Sequence, residues 1–193
     1  MAVGNHRFAQ LVIDQQAIYE NIKNAKHNLP AGDELFMTVK ANGYGHGAVQ
    51  VAQVAKRAGA DGFCVSIIDE ALELRRGGIA KSPILVLGIG DAIDAKVAAD
   101  NNISLTAASS DWLEKAAEVL ELYPVTNKVK IHLALDTGMG RIGFQTAEEL
   151  QEAIAVLEHH TNVMEWEGLF THFATADDPN TEYFELQKVG LRK

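Results

Sequence analysis

The feature that most constrains this chain is a regular alternation of strand-like and helix-like segments along its 193 residues. Short apolar runs alternate with longer segments whose apolar residues recur at helical spacing. The first run spans residues 35–39, and further strands are predicted at 62–67, 84–88, 103–107, 128–135 and 167–173. Helices are predicted after them at about 48–58, 69–76, 92–99, 111–122, 147–159 and 181–190. The pattern therefore predicts six βα units.

Repeated βα units are compatible with a barrel or with a doubly wound open sheet. Short, almost wholly apolar runs such as 84–87 are typical of parallel strands that are covered on both faces. Residues capable of chemistry follow several strand ends, as in the loop ring of a barrel: Lys40, Ser66, residues 136–141 and His172. No glycine-rich dinucleotide fingerprint opens the first helix after a strand. We therefore predict the α/β class and a (β/α)8 TIM-type barrel, of which the first six units are present.

A complete barrel of this type has eight units. We therefore expect residues 1–193 to form an incomplete N-terminal barrel domain of a longer protein. Ahead of the first unit, the run from Phe8 to Ile13 predicts a short strand, and Asp14 predicts the N-cap of a helix.

Charge and hydropathy exclude several classes of function. The chain has 17 basic and 26 acidic residues, a net charge of -9, so it lacks the basic surface that nucleic-acid binding requires. Apolar runs are too short to span a membrane, and the N-terminus lacks the hydrophobic region of a signal peptide, which predicts a cytoplasmic protein. Cys64 is the single cysteine and lies in an apolar run, so we interpret it as a buried strand residue rather than a nucleophile.

Lys40 lies at the predicted end of the first strand and is followed by glycines 43, 45 and 47. A lysine amine forms a Schiff base with an aldehyde when its surroundings keep part of it neutral, and Val39 and Ala41 provide no carboxylate. The loop offers backbone N–H groups, Tyr44 and a helix N-terminus to a phosphate. These features suit pyridoxal 5'-phosphate. The residues alone leave open a solvated loop lysine, and a Tyr44 that packs on the barrel rim.

Two further clusters follow later strands. Arg141 lies in a loop with glycines at 138, 140 and 143, where a guanidinium could bind a carboxylate or a phenolic oxygen, or could simply pair with Asp136. His172 lies at the end of the next strand, as a catalytic group or as a hydrogen-bonded core histidine.

Together, the stretches 39–47, 136–144 and 171–177 resemble the alanine racemases, which are fold-type III pyridoxal-phosphate enzymes. The resemblance implies a barrel followed by a mostly β C-terminal domain, which the strand at 8–13 would join. It also implies a cytoplasmic homodimer that interconverts L-alanine and D-alanine for bacterial cell-wall peptidoglycan, with pyridoxal 5'-phosphate as cofactor and no metal site.

The resemblance also implies roles for individual residues. Lys40 would hold the cofactor and act as one catalytic base, Tyr44 would contact the phosphate, and Leu87 would be a further cofactor contact. Arg141 would lie beside the phenolic oxygen and bind the substrate carboxylate, and His172 would support the hydrogen-bond network around the cofactor. A tyrosine of the other subunit would be the second base, so we expect the 193-residue chain alone to be inactive and to bind the cofactor poorly.

One position departs from the family pattern. Many members carry a carbamylated lysine seven residues before the motif arginine, where this chain has Ala134. We expect another group, a water or an anion such as chloride to position Arg141 instead. Three other functions use similar residues: a racemase for serine or for a broader range of substrates, a related amino-acid decarboxylase, and a non-catalytic pyridoxal-phosphate carrier.

Overall fold

The chain forms one parallel β-sheet with helices between its strands. The structure, a computed structural model, describes residues 8, 10–123, 125 and 127–191. The strands are β1 (Phe36–Thr38), β2 (Gly62–Val65), β3 (Ile84–Val86), β4 (Ser104–Ala107), β5 (Val129–Leu135) and β6 (Met164–Thr171). The helices are α1 (Gln15–His27), α2 (Lys40–Tyr44), α3 (Ala48–Ala58), α4 (Ile68–Arg76), α5 (Asp94–Asp100), α6 (Ser110–Leu122), α7 (Ala147–His159) and α8 (Glu182–Leu191).

The order of the strands distinguishes the two predicted architectures. All neighbouring pairs are parallel, and the strands lie side by side in chain order from β1 to β6. In a doubly wound sheet, the order in which strands are added reverses at a switch point. In a barrel, each strand is added next to the preceding one. The prediction of six barrel-type βα units is confirmed.

The core lies between the sheet and the helices that follow its strands. Phe63, Ile84, Leu113 and Ile131 are fully buried there, and small residues such as Ala55 let the helices approach the sheet closely. Cys64 is buried in β2, and burial raises the pKa of its thiol to about 11, so it is a protonated packing residue. That interpretation of the cysteine is confirmed.

The segment before α1 differs from the prediction. Residues 8 and 10–13 are not in a strand, and Phe8, Leu11 and Val12 are exposed. A strand needs a neighbour to pair with, and no strand of the described sheet pairs with this segment, so the predicted strand is wrong for these residues. Residue 9 lies outside the described part. The predicted N-cap is confirmed, since the Asp14 carboxylate accepts from the amides of Gln16 and Ala17.

None of the helices in the described part of the chain has the length and apolar character needed to cross a membrane.

Candidate active site

Lys40 lies directly beyond β1, at the carboxyl edge of the sheet, and begins a tight turn rather than an open loop. The four residues after it are all left-handed, with φ of 50° at Ala41, 55° at Asn42, 61° at Gly43 and 53° at Tyr44. This conformation costs about 1–2 kcal/mol for each residue that carries a Cβ. The turn that follows Lys40 is therefore strained and depends on contacts that stabilise it.

Hydrogen bonds within the turn provide part of that support. Gly43 donates to Val39 O at 2.8 Å, and Gly47 donates to Asn42 O at 2.8 Å. The Asn42 side chain accepts from the amide of Ala48 at 3.1 Å. With the amides of Gly45 and His46, five backbone N–H groups of this segment are already paired within it. These five amides are therefore not free to donate to a phosphate in this structure. The phenol of Tyr44 is accessible, because this residue is 59% exposed instead of packed on the rim.

Lys40 is half-buried, and its amine makes no hydrogen bond or ion pair with the described residues. The carboxylate of Glu70 is bonded instead to backbone amides, those of Ala41 at 2.7 Å, Ser66 at 2.7 Å and Ile67 at 3.4 Å. Glu70 was not identified from the sequence. Its signal was local: a glutamate in the first turn of a helix that follows a strand.

Leu87 follows β3 at the same edge, where its amide donates to Val65 O at 2.8 Å. Beside it a cavity of about 190 Å³ opens between the ends of β2, β3 and β4. Asp69, Asp91 and Asp94 line this cavity. Burial raises the pKa of Asp94, and the charges of Asp91 and Asp69 raise it further. An acidic cavity is unsuited to a phosphate, so we do not place one there.

The loop after β5 is held by the carboxylate of Asp136. This carboxylate accepts from Gly140 N at 2.9 Å and from Gly138 N at 3.0 Å. The bond from Gly140 is the main cause that lowers the pKa of Asp136, although burial acts in the opposite direction. Asp136 and Arg141 form no ion pair, which removes the alternative of a simple pairing between them.

Gly143 closes this loop where the chain returns to the sheet. Its φ is 125°, and an added Cβ would lie 2.5 Å from Asp136 N and 2.9 Å from Ala134 O. Phe144 can then pair with the end of β5, donating to Ala134 O at 2.9 Å and accepting from Asp136 N at 3.0 Å. The glycine is required by this close approach.

Arg141 and His172 share a small cleft at the ends of β5 and β6, and Ala134 lines its floor. Ala134 is 1% exposed, and its methyl group provides no hydrogen bond. The guanidinium of Arg141 has no partner among the described residues. Lys40 does not line this cleft. The structure thus brings two of the predicted site residues together and places Lys40 elsewhere on the same sheet edge.

Gln187, on α8, joins the loop that carries Arg141 to the segment that carries His172, just beyond β6. It is completely buried, and its amide nitrogen donates to Thr137 Oγ1 at 3.2 Å and to His172 O at 3.1 Å. Its amide oxygen accepts from Ala174 N at 2.9 Å. Gln187 was not identified from the sequence either. A polar side chain on the inward stripe of a helix was the available signal.

Fold and site together define a class: a barrel-type α/β protein whose candidate site residues lie at the carboxyl ends of parallel strands. Comparison with known sequences gives the family. The sequence profile of the alanine racemase N-terminal domain matches residues 13–192. The chain belongs to the alanine racemase family.

Individual relatives support this assignment and show its extent. The alanine racemase of Levilactobacillus brevis is 57% identical over 187 residues, which are 97% of this chain and 50% of that protein. The crystal structure of alanine racemase from E. faecalis matches with a TM-score of 0.92 and 47% identity, over 100% of this chain and 51% of the other. A histidine racemase from Leuconostoc mesenteroides matches with a TM-score of 0.85 and 36% identity, over 93% and 47%. The chain spans about half the length of the curated relatives it matches.

Proposed function

We propose that this chain contributes the pyridoxal-phosphate lysine and one catalytic base to the interconversion of L-alanine and D-alanine. The observation that supports this most directly is the environment of Lys40, a half-buried residue at the carboxyl edge of the sheet whose amine has no carboxylate partner among the described residues. An amine that is not tied to a carboxylate is available for covalent attachment to an aldehyde.

The other available groups fit the same cofactor. The side chains of Tyr44, Arg141 and His172 offer a phenol, a guanidinium and an imidazole. None of the three forms a hydrogen bond or an ion pair with a carboxylate or any other group of the described residues. A phosphate and a phenolic oxygen are the kinds of anion that these donors bind. Because the turn amides are already paired, Tyr44 is the residue of the first loop that remains to contact the phosphate. Leu87 would be an apolar contact of the cofactor.

Each residue then has a stated task. Pyridoxal phosphate, when bound, acidifies the α-proton of an amino acid by delocalising the negative charge. Lys40 removes or returns this proton on one face of the substrate, and Arg141 binds the substrate carboxylate. His172 supports the surrounding hydrogen-bond network. Racemisation needs a second acid/base on the opposite face, and no residue of the described part is assigned to that role.

The biological setting follows from the same proposal. The product D-alanine would serve bacterial cell-wall peptidoglycan, and the working protein would be a cytoplasmic homodimer in which the second base comes from the other subunit. The region at 8–13 would belong with a second, mostly β domain.

Covalent labelling tests the central residue. We expect pyridoxal phosphate followed by borohydride to label Lys40, as mapped by peptide mass spectrometry. Lys40→Arg should abolish that label, whereas Lys56→Arg, at an exposed lysine of α3, should leave it unchanged. Label distributed over surface lysines with no preference for Lys40 would refute the proposal.

Activity measurements separate the alternatives. We expect the 193-residue chain alone to form no D-alanine from L-alanine, and appreciable turnover would show that no second base from elsewhere is needed. A carrier would take the label without exchanging the α-proton of alanine with solvent, and a decarboxylase would release carbon dioxide. The likeness to a histidine racemase makes histidine and serine the first further substrates to assay.

A further inference from the structure

Glu70 connects the turn that follows Lys40 to the end of the next strand. Its Oε2 accepts from the amides of Ser66 and Ile67, which is the ordinary capping of α4 by its own third residue. Its Oε1 accepts at 2.7 Å from the amide of Ala41, 29 positions earlier in the chain. One oxygen therefore caps a helix, and the other is free to bind the residue next to Lys40.

Ala41 is the place where that contact has the most influence on the lysine. It is the first left-handed residue of the turn, and its amide belongs to the peptide bond that leaves Lys40. The amides of Gly43 and of residues 45–48 pair within the segment, but Ala41 donates outside it, to the Glu70 carboxylate. Fixing this peptide plane fixes the direction in which the Lys40 side chain leaves the backbone.

We propose that Glu70 is a positioning residue for Lys40, directing its amine toward the carboxyl edge through the amide of Ala41. This role rests on the proposed function, in which Lys40 attaches pyridoxal phosphate. A misplacement of reacting atoms by about 1 Å can lower a rate on the order of a hundredfold.

Glu70→Gln is the test, because it keeps the size of the side chain and replaces one acceptor oxygen with a donor. In either orientation of the amide group, Ala41 or Ser66 then loses its acceptor. Glu149→Gln is the matched control. Glu149 caps α7 in the same way, accepting from Gln145 and Thr146, but holds no distant amide.

The readout is the rate of Lys40 labelling by pyridoxal phosphate and borohydride, divided by the rate at exposed Lys56 of the same molecule. We expect this ratio to fall about tenfold or more in Glu70→Gln and to be unchanged in Glu149→Gln, while both variants lose thermal stability. An unchanged ratio in Glu70→Gln would show that Glu70 only caps α4, which overturns the inference while Lys40 labelling in the wild type still supports the proposed function. Absence of Lys40 labelling in the wild type would overturn both.

A second measurement avoids the variant, in case it does not fold. We expect the Ala41 amide of the wild type to be protected from hydrogen exchange at least as well as that of Gly43, since Ala41 donates to Glu70 as Gly43 does to Val39. Exchange of Ala41 at the rate of an unstructured peptide would overturn the inference.

Discussion

At Gly143, an added methyl group would hinder the return of the loop that carries Arg141 to the sheet. We expect Gly143→Ala to lower the free energy of unfolding by about 2–3 kcal/mol, because the new Cβ would overlap backbone atoms of residues 134–136 that cannot rotate away. Gly140→Ala is the control in the same loop. Its φ is 72° with open space around the new Cβ, so it should cost about 1 kcal/mol. Urea denaturation measures both values, and equal losses would contradict the close approach at Gly143.

The residues around Lys40 show what the sequence could predict at this scale. An apolar run, a lysine and three nearby glycines are local signals, so the strand end was predictable. The left-handed conformation of Ala41 was not, because alanine does not favour it and the contact from Glu70 comes from a distant helix. The pairing of the turn amides was hidden for the same reason.

Between β5 and β6, a polar cluster lies on the sheet where the packing is otherwise apolar. Glu167 accepts from Lys130 Nζ at 2.7 Å and from Ser104 Oγ at 2.5 Å, and lies 3.0 Å from His132 Nε2. Burial acts to raise the pKa of Glu167, but the hydrogen bonds from Lys130, Ser104 and His132 outweigh it and the pKa is lowered. The charged carboxylate is therefore the form that joins these strands.

We expect Glu167→Gln to destabilise the protein by about 1–3 kcal/mol at pH 7, because Lys130 loses its partner. A lowered pKa stabilises the fold above the ordinary value of 4.5 and loses that effect as the pH falls through the lowered value. The difference between variant and wild type should therefore shrink in acid. Glu165→Gln, at an exposed residue of the same strand, should have little effect at any pH, and an equal loss in both would contradict the role of the cluster.

This strand also shows the limit of reading elements from sequence. It was predicted at 167–173, whereas β6 spans Met164–Thr171. Glu165 and Trp166 are exposed on the outer strand of the described sheet, so the beginning of β6 lacks the apolar run by which the other strands were found. Helices were predicted more closely, since α3 and α7 have the expected bounds and their apolar periodicity is local.

At the scale of the whole molecule, carboxylates in the described part of the chain have pKa shifts of opposite direction, so they change the stability in opposite ways as the pH rises. Asp61 has a lowered pKa, mainly because Lys26 Nζ donates to it at 2.6 Å, whereas burial and neighbouring acids raise that of Asp94. Asp61 therefore adds stability as the pH rises above its lowered pKa, and Asp94 reduces it as the pH rises through its raised pKa.

Two variants should show this difference in sign. As the pH rises from acid to neutral, the free energy of unfolding of Asp61→Asn should fall below that of the wild type, by about 1 kcal/mol at neutral pH. Over the same range, the free energy of unfolding of Asp94→Asn should rise relative to that of the wild type. Denaturant titrations at several pH values measure both. Parallel trends in the two variants would refute the assignment of opposite shifts.

The order of the sheet was predictable because each βα unit adds a strand beside the last, so local signals determine a global topology. The cleft that Arg141 and His172 share was not, nor were the bonds from Gln187 to Thr137 and His172, since these bonds depend on how α8 packs across two strand ends.

The bond between Ala41 and Glu70 also bears on the order of events during synthesis. A ribosome makes Lys40 and its turn well before it makes Glu70, 29 residues beyond Ala41. Until α4 has emerged and folded, the strained turn lacks its outside partner, and the lysine is held in no particular direction. A nascent chain would thus acquire the fixed peptide plane beside Lys40 only once the second βα unit is in place.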